Sequence, residues 1–187
     1  EVLIRVAAAG VNRPDVAQRK GLYPAPQGAS DLPGLEVAGE IVVCGANAGD
    51  WKVGDAVCAL VSGGGYAEYV AVNARHCLPV PDGVNEQDAA GLPETYFTVW
   101  SNVFFNQKIK NDSIFLVHGG SGGIGSTAIQ IGTAMGLHVF ATAGSAESCT
   151  YCEKLGAQRS INFNEEDFVP ILREIGGANI ILDIIGG

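Results

Sequence analysis

A glycine-rich segment in the second half of the chain carries the clearest chemical signal. It reads His-Gly-Gly-Ser-Gly-Gly-Ile-Gly over 118–125, and three of its glycines satisfy the spacing G-x-G-x-x-G. In this spacing the first glycine (Gly120) makes a tight turn, the second (Gly122) lets the backbone approach a pyrophosphate, and the third (Gly125) lets a helix pack closely on the preceding strand. Because a strand-like stretch precedes the segment and a helix-like stretch follows it, we predict a dinucleotide-binding loop. The expected cofactor contacts are Gly120, Ser121, Gly122, Gly123, Ile124 and Gly125. The alternative is a tight strand–helix turn that binds no ligand.

The end of the next predicted strand bears on which dinucleotide would bind. An NAD site usually has an Asp or Glu about 20 residues after the glycine loop, where it holds the ribose 2′-hydroxyl. Here the strand ends Ala-Thr-Ala-Gly-Ser over 141–145, without an acidic residue. Gly144 and Ser145 leave room for a 2′-phosphate, so the sequence favours NADP(H). Ser145 also fits a simple helix N-cap, and the nearby Glu147 opposes a phosphate.

The chain changes character near residue 80. Short apolar stretches bounded by glycines predict strands over 2–8, 39–45, 55–61 and 66–72, in a small barrel or sandwich. Helices are expected over 85–91 and from 95 to about 105. Beyond them, predicted strands over 113–118, 138–143, 160–163 and 179–185 alternate with predicted helices over 126–135, 145–155 and 167–175. This alternation predicts a parallel, doubly wound α/β sheet.

Composition excludes several classes of protein. The 187 residues are 47% hydrophobic and 17% charged, with a net charge of −9. They favour a packed core over disorder, and without a basic block they disfavour a nucleic-acid partner. Apolar runs are too short to span a bilayer, so we expect no membrane partner. Five irregularly spaced cysteines do not suggest disulfides, and with no secretory signal pattern they favour a cytoplasmic location. Cys149 and Cys152 form a C-x-x-C on a predicted helix, where we expect neither redox nor metal function.

Several ordered motifs together resemble one family. They are Gly-Val-Asn-Arg-Pro-Asp (10–15), Gly-Leu-Tyr-Pro (21–24), Pro-Gly-Leu-Glu-Val-Ala-Gly (33–39), Gly-Gly-Tyr-Ala-Glu-Tyr (64–69), Leu-Pro-Glu-Thr-Tyr-Phe-Thr-Val-Trp (92–100) and Val-His-Gly-Gly-Ser-Gly-Gly-Ile-Gly (117–125). Over essentially the whole chain they resemble the zinc-free, zeta-crystallin-like NAD(P)H quinone oxidoreductases of the medium-chain dehydrogenase/reductase superfamily.

The resemblance implies a fold, a boundary and a reaction. It implies a GroES-like β-rich catalytic domain over 1–98, without its N-terminal start, followed by a Rossmann domain over 99–187, incomplete at its C-terminus. It also implies hydride transfer from NADPH to a quinone or enone, with the nicotinamide in the cleft between the domains, and a homodimer of the full-length protein. Asn12 and Tyr23 would line the acceptor pocket as the catalytic residues, and Thr98 would hydrogen-bond near the nicotinamide. Asp15 and Glu36 are interpreted as structural polar groups.

The same resemblance distinguishes this chain from zinc-dependent relatives. Their zinc ligands would fall at Asn12, at Leu35 and near Glu94. A leucine cannot bind metal and an asparagine is a poor zinc ligand, so we expect no metal site. Without a Lewis acid, oxidation of alcohols of the zinc-dependent type is disfavoured.

Two positions depart from the family pattern for binding the 2′-phosphate. Relatives often have a Lys where this chain has Ser148 and a Tyr where it has Phe163, which we keep among the cofactor contacts. We therefore expect a modest preference for NADPH over NADH. Three other functions remain open at this point: an enoyl-thioester reductase of the same superfamily, a crystallin-like or RNA-binding non-catalytic protein, and an inactive relative.

Overall fold

The computed structural model describes residues 1–105, 108–184 and 186. It divides into two compact units, Glu1–Glu94 and Thr95–Gly187, whereas the sequence analysis put the boundary between residues 98 and 99. Each unit has its own sheet and its own apolar core. None of the helices in the described part of the chain is both long enough and apolar enough to cross a bilayer.

The first unit is built on five antiparallel strands. They are β1 (Val2–Ala9), β2 (Glu36–Cys44), β3 (Ala56–Leu60), β4 (Tyr69–Val72) and β5 (Cys77–Pro79), in the order β4-β1-β2-β3-β5. In β1 the side chains of Val2 and Ile4 are buried while Arg5 is exposed, because successive strand residues point to opposite faces. The four predicted strands are confirmed with shifted ends, whereas β5 was not predicted.

A glycine lets the two central strands of this sheet approach each other. A Cβ on Gly39 would overlap the backbone oxygen of Arg5 on the neighbouring strand. Gly39 lies in β2, opposite the irregular part of β1 where the strand register shifts between Val6 and Ala8. The glycine that ends the Pro-Gly-Leu-Glu-Val-Ala-Gly motif is therefore required by packing within the sheet.

Two short α-helices belong to the first unit. They are α1 (Arg13–Arg19) and α2 (Glu86–Ala89); α2 confirms the helix predicted over 85–91, in a shorter form. The sequence analysis missed α1, although its start carries ordinary signals: Asn12 is the N-cap, a proline follows at the second helical position and Asp15 stands at the third. The 7-residue length of α1 gives too little apolar periodicity to reveal a helix.

The second unit contains a four-stranded parallel sheet. Its strands are β6 (Ile114–Val117), β7 (His138–Ala143), β8 (Arg159–Asn162) and β9 (Ile180–Leu182), in the order β8-β7-β6-β9. The helices are α3 (Pro93–Val99), which begins just before the unit boundary, α4 (Gly123–Ala134), α5 (Ala146–Lys154) and α6 (Phe168–Glu174). The predicted fold class, a β-rich domain followed by a parallel α/β sheet, is confirmed; the end of the strand predicted over 179–185 reaches residue 185, which lies outside the described residues.

The strand order locates the position where a ligand can reach the sheet. β7 and β8 lie on one side of β6, and β9 lies on the other side. In parallel α/β sheets of this kind, ligands bind outside the carboxyl ends of the strands, where the strand order reverses direction. That position is the carboxyl end of β6, which is where the glycine-rich segment begins.

The helix expected from 95 to about 105 has a different geometry. α3 begins at Pro93, and a π-helical turn continues it over Trp100–Phe104, with the Phe105 N–H donating to the Trp100 carbonyl at 2.7 Å. Such wide turns are uncommon and often lie near functional sites. The ring of Trp100 stacks on that of Phe104 with centroids 5.6 Å apart.

Candidate functional site

The glycine-rich segment forms a tight loop between β6 and α4. Gly119 adopts the left-handed conformation with φ 67°, so the turn glycine precedes Gly120, to which the sequence analysis had assigned that role. The Gly122 N–H closes the turn by donating to the Gly119 carbonyl at 3.1 Å, and the Gly120 N–H donates to the Thr142 carbonyl of β7 at 2.9 Å. The Thr142 hydroxyl lies 3.0 Å from His118 Nδ1. His118 therefore helps attach the loop to the sheet, and its ring packs edge-on against Phe168.

The glycines of the motif serve different purposes. A Cβ on Gly120 would lie 2.8 Å from the Ala141 Cβ and 2.9 Å from the Cys152 sulfur, so Gly120 allows close packing of the loop. A Cβ on Gly125 would lie 2.7 Å from the Gly120 Cα, so the missing side chain lets the first turn of α4 lie against the loop, whereas the sequence analysis expected close packing on the strand. A Cβ on Gly122 would have only the Gly119 oxygen nearby, at 3.5 Å. The space beside Gly122 is thus open to a ligand.

Helix α4 starts inside the motif rather than after it. Gly122 is its N-cap, and Gly123, Ile124 and Gly125 form its first turn, whereas the predicted helix began at residue 126. The first N–H groups of a helix lack intrahelical acceptors, and the helix dipole makes this end favourable for an anion. Ser121 and Gly122 are exposed and lie directly before this turn, so the N–H groups of this region could hold an anionic group such as a pyrophosphate.

Gly144, Ser145 and Phe163 come together at the carboxyl ends of β7 and β8. The Phe163 ring lies over Gly144: a Cβ on that glycine would be 3.1 Å from the Phe163 Cζ. Ser145 is the N-cap of α5, and its hydroxyl oxygen accepts from the Ser148 N–H at 3.2 Å. The N-cap alternative for Ser145 is therefore realised. Glu147 and Phe163 are exposed beside it, and Ser148 is half-buried.

Thr98 lies at the end of α3, where the π-helical turn begins. Its carbonyl accepts from the Asn102 side-chain amide at 2.8 Å and from the Ser101 hydroxyl at 3.3 Å. One turn earlier, Thr95 faces the glycine loop: a Cβ on Gly123 would lie 3.5 Å from the Thr95 Cγ2. α3 therefore approaches the loop through Thr95, a residue that the sequence analysis did not single out.

In the first unit, two buried carboxylates surround Asn12. Asp15 is 4% exposed and accepts from the backbone N–H of Asn12 at 2.8 Å, from that of Gly34 at 2.8 Å and from the Tyr66 hydroxyl at 3.0 Å. Glu36 is 2% exposed; its Oε1 accepts from Asn12 Nδ2 at 2.7 Å and its Oε2 accepts from the Glu94 backbone N–H at 2.9 Å. This polar cluster, defined as Asn12, Asp15, Glu36 and Tyr66, joins segments that lie far apart in the sequence.

The environment of the polar cluster changes its titration. Burial raises the pKa of Glu36, and the hydrogen bonds from Asn12 and the Glu94 N–H partly oppose that rise. Loss of hydration raises the pKa of Tyr66 to about 12, and the hydrogen bond to Asp15 acts in the same direction because it binds the phenol proton. Tyr66 therefore remains a hydrogen-bond donor at neutral pH.

Asn12 and Tyr23 lie on either side of α1 in the sequence. Asn12 precedes α1, whereas Tyr23 follows it in an exposed turn, with 42% of its surface accessible. The polar contacts of Asn12 come from Asp15 and Glu36, which the sequence analysis interpreted as structural. The spacing Asn-x-x-Asp, which resembles a capping box, was the one signal that linked Asn12 to Asp15.

The residues at the family's zinc positions do not fit a metal ion. Leu35 has no donor atom, and the amide of Asn12 is already bonded to Glu36. Among residues 1–105, 108–184 and 186, no group of three or more His, Cys, Asp and Glu side chains is arranged to hold a metal. Cys149 and Cys152 are free and buried on α5, and burial raises the pKa of Cys152, which disfavours the reactive thiolate.

Two family models match the chain. Residues 1–82 match the alcohol dehydrogenase GroES-like domain, and residues 123–187 match the zinc-binding dehydrogenase model. The first match covers the antiparallel sheet. The second begins after β6 and covers α4 together with the strands β7, β8 and β9.

Three individual proteins are similar to this chain over its whole length. The synaptic vesicle membrane protein VAT-1 homolog of Danio rerio is 34% identical over 190 residues, which cover 100% of this chain and 39% of that protein. The Escherichia coli quinone oxidoreductase, solved in complex with NADPH, aligns with a TM-score of 0.85 at 31% identity, covering 100% of this chain and 58% of its own. The CurK enoyl reductase aligns with a TM-score of 0.87 at 30% identity, covering 100% and 59%. The chain thus spans between about two fifths and three fifths of the length of these proteins.

Proposed function

Since this chain belongs to the medium-chain dehydrogenase/reductase superfamily, we propose that its protein is an NADPH-dependent reductase of quinones and related electrophilic carbonyl compounds that works without a metal. The glycine loop carries this proposal. It lies at the carboxyl end of β6, it leaves open space beside Gly122, and α4 starts within it, at Gly123. The G-x-G-x-x-G spacing between a strand and a helix is typical of dinucleotide binding. A turn that binds no ligand would not need this spacing.

The cofactor would be held chiefly by backbone groups. The pyrophosphate would bind at residues 120–125, where α4 offers N–H groups and the positive end of its dipole. Thr98 would bind near the nicotinamide, and Gly144, Ser145 and Phe163 would surround the adenine-side ribose. The structural observation behind this last assignment is that these three residues lie together at the carboxyl ends of β7 and β8.

The reaction requires a balanced reduction of the acceptor. Bound NADPH would supply a hydride, which carries two electrons and one proton, and solvent would supply the second proton, so that a quinone would become the hydroquinone and NADPH would become NADP⁺. The oxygen that gains charge during this step needs a hydrogen-bond donor. We assign that task to the Asn12 side-chain amide, with Tyr23 lining the acceptor pocket.

Cofactor choice follows from the residues near the predicted 2′-phosphate. No acid follows β7 at Gly144 or Ser145, which favours NADPH, but Ser145 uses its hydroxyl as an N-cap and Glu147 lies exposed in the same turn. Ser148 and Phe163 offer neither charge nor a phenol. We therefore propose a modest preference for NADPH.

Steady-state oxidation of NADPH by the complete protein tests the proposal. The acceptors are tetramethyl-1,4-benzoquinone, which has no free ring carbon for thiol addition, and crotonyl-CoA as an enoyl thioester. We expect turnover with the quinone in protein treated with a chelator, at the same rate as in untreated protein. A protein that oxidises NADPH with neither acceptor, or whose turnover disappears on metal removal, would contradict the proposal.

The second candidate is an enoyl-thioester reductase. The alignment with the CurK enoyl reductase favours it, because its TM-score of 0.87 is as high as that of the quinone oxidoreductase. Faster turnover of crotonyl-CoA than of the quinone would replace the first candidate with this one. The residue assignments for the cofactor stay the same in both cases.

The remaining parts of the proposal concern partners and location. A net charge of −9 favours a small-molecule substrate over nucleic acid. We propose a homodimeric, cytoplasmic protein without a membrane partner, in which the five free cysteines stay reduced. Size-exclusion chromatography with light scattering and fractionation of cells test these points.

A further inference from the structure

Each oxygen of the buried Glu36 carboxylate has its own N–H donor. Oε1 accepts from Asn12 Nδ2 at 2.7 Å, and Oε2 accepts from the Glu94 backbone N–H at 2.9 Å. An ionised carboxylate only accepts hydrogen bonds, so it suits this pair of donors. A glutamine would supply one oxygen and one amino group and could satisfy only one of them. The arrangement therefore requires a carboxylate and not merely a polar side chain of this size.

The packing around Glu36 is equally specific. A Cβ on Gly10 would overlap the Glu36 carboxylate, so a residue without a side chain makes room for it. Burial of a carboxylate is costly, which is also why the pKa of Glu36 is raised. An apolar side chain would fill this place at lower cost if volume were the only requirement. The carboxylate is therefore best explained by the two hydrogen bonds that it accepts, from Asn12 Nδ2 and from the Glu94 N–H.

The consequence falls on the orientation of the Asn12 amide. Oxygen and nitrogen of a carboxamide have similar shapes, and the surroundings decide which one points where. Here the carboxylate turns Nδ2 towards Glu36, while the amide oxygen faces the N–H of Asp15 in the capping box at the start of α1. The backbone of Asn12 is fixed as well, because its N–H donates to Asp15 at 2.8 Å. One hydrogen of Nδ2 is used by Glu36, and the amide group has a second hydrogen to donate.

We propose that Glu36 is a positioning residue that holds the Asn12 amide with an N–H directed at the carbonyl oxygen of the acceptor. This inference rests on the proposed function, since it deepens the role given there to Asn12. It specifies the substrate class: the acceptor presents an oxygen lone pair at this position, as quinones, enones and thioesters do. It also makes Glu36, rather than Tyr23, the residue on which the reactivity of Asn12 depends.

A pair of substitutions separates positioning from structural support. In Glu36→Gln the amide must turn an N–H towards one of the two donors, so Asn12 loses its fixed orientation. We expect kcat/KM for tetramethyl-1,4-benzoquinone to fall about tenfold, with the KM for NADPH unchanged. Glu40→Gln is the matched control on the same strand, because Glu40 is partly exposed and pairs with Arg5; it should behave as wild type. A Glu36→Gln protein with unchanged kcat and KM would overturn the proposal.

The reversed pair keeps the hydrogen bonds but removes the donor. In Asn12→Asp with Glu36→Gln, the Gln amide donates to Asp while its oxygen accepts from the Glu94 N–H. We expect the Tm to return towards wild type while kcat/KM for the quinone stays low, because position 12 now offers only acceptor atoms. Recovery of activity together with the Tm would mean that Glu36 is structural only. If Glu36→Gln alone does not fold, this variant still decides the question.

A double-mutant cycle tests whether Glu36 acts through Asn12. In an Asn12→Ala protein, adding Glu36→Gln should cause no further loss of kcat/KM. Independent and multiplicative losses would contradict the proposal. If the wild-type protein reduces no acceptor, the proposed function fails by itself, and NMR of the Asn12 side-chain NH₂ still tests the inference. Those resonances should be resolved in wild type and shift in Glu36→Gln; unchanged resonances would refute the positioning role.

Discussion

The glycine loop and the polar cluster are built in opposite ways. Residues 119–125 would form the proposed cofactor site from backbone groups, in the tight turn after β6 and the first turn of α4. The cluster around Asn12 uses side chains from three distant segments, with Glu36 coming from β2 and Tyr66 from the loop before β4. A backbone site tolerates few changes of side-chain volume, whereas a side-chain site depends on the chemical identity of each group.

This difference gives the two regions different weak points. In the loop the sensitive quantity is space: the open side of Gly122 contrasts with the closely packed Gly125. In the cluster it is the number of acceptor oxygens, because the buried Asp15 and Glu36 together serve five donors. Substitutions that keep the volume but change the acceptor atoms should therefore be severe in the cluster, whereas in the loop the effect should depend on the space beside each glycine.

The largest effect is expected at Gly125. In Gly125→Ala the added methyl would lie 2.7 Å from the Gly120 Cα, and the backbone on both sides would have to move. We expect a loss of about 3 kcal/mol in the free energy of unfolding, measured by urea denaturation of the complete protein. Gly122→Ala is the matched control, since its methyl has an ordinary contact of 3.5 Å, and it should unfold as wild type. Equal stabilities would show that the loop can relax.

A larger side chain at Gly122 should affect binding and leave folding intact. Gly122→Val adds a branched side chain beside the start of α4, in the space proposed for the pyrophosphate. We expect NADPH to bind about 100-fold more weakly by fluorescence titration while the Tm changes little. Wild-type affinity in this variant would mean that the cofactor does not use the loop.

Asp15 tests the opposite sensitivity, because its substitution by Asn changes charge but hardly volume. Asp15→Asn replaces one of the oxygens that accept from Asn12, Gly34 and Tyr66 by an amino group. We expect a loss of about 2 kcal/mol in unfolding free energy, since a buried donor is left without an acceptor. Asp50→Asn, on an exposed residue, is the control. A loss no larger than the control's would remove the distinction between the two regions.

Adding a charge in the first turn of α5 should change cofactor choice by a smaller amount. Ser148→Lys introduces at α5 the cation that relatives often have, close to Ser145. We expect the ratio of kcat/KM for NADPH over NADH to rise about tenfold, with NADH itself little affected. Thr150→Lys places the same charge on an exposed position of the same helix and should leave the ratio unchanged. A wild-type protein that prefers NADH would contradict the assignment of the phosphate to this position.

The smallest effect concerns the titration of Tyr66. Because loss of hydration and the bond to Asp15 raise its pKa to about 12, an ultraviolet pH titration should show a phenol that ionises near pH 12. The component near pH 12 should be absent in Tyr66→Phe and move down in Asp15→Asn. The stability that Tyr66 contributes should be complete below the unfolded pKa, about 10, and disappear as the pH rises through about 12. A Tyr66→Phe titration identical to wild type would contradict this environment.

The same contrast explains which parts of the site the sequence could predict. The loop residues Gly120, Gly122 and Gly125 were recognisable because strand, turn and helix follow one another directly; the close contact of Gly125 is with Gly119 and Gly120 rather than with the strand. The turn glycine was assigned one residue too late, because Gly119 and Gly120 are adjacent and only φ distinguishes them. The helix start was predicted late for a related reason, since glycines at the first turn of α4 look like a loop.

The sequence by itself determined the fold class and the position of the glycine loop, because apolar periodicity and turn residues act over short stretches of chain. It also excluded Leu35 as a metal ligand on the chemistry of its side chain alone. The contacts of Asn12 were decided only by the tertiary structure, which brings Glu36 to it from a position 24 residues further along the chain. Nothing local in the sequence specifies that β2 aligns its first residue with the start of α1. The burial that turns Glu36 from a surface carboxylate into the acceptor for Asn12 exists only once the sheet has formed.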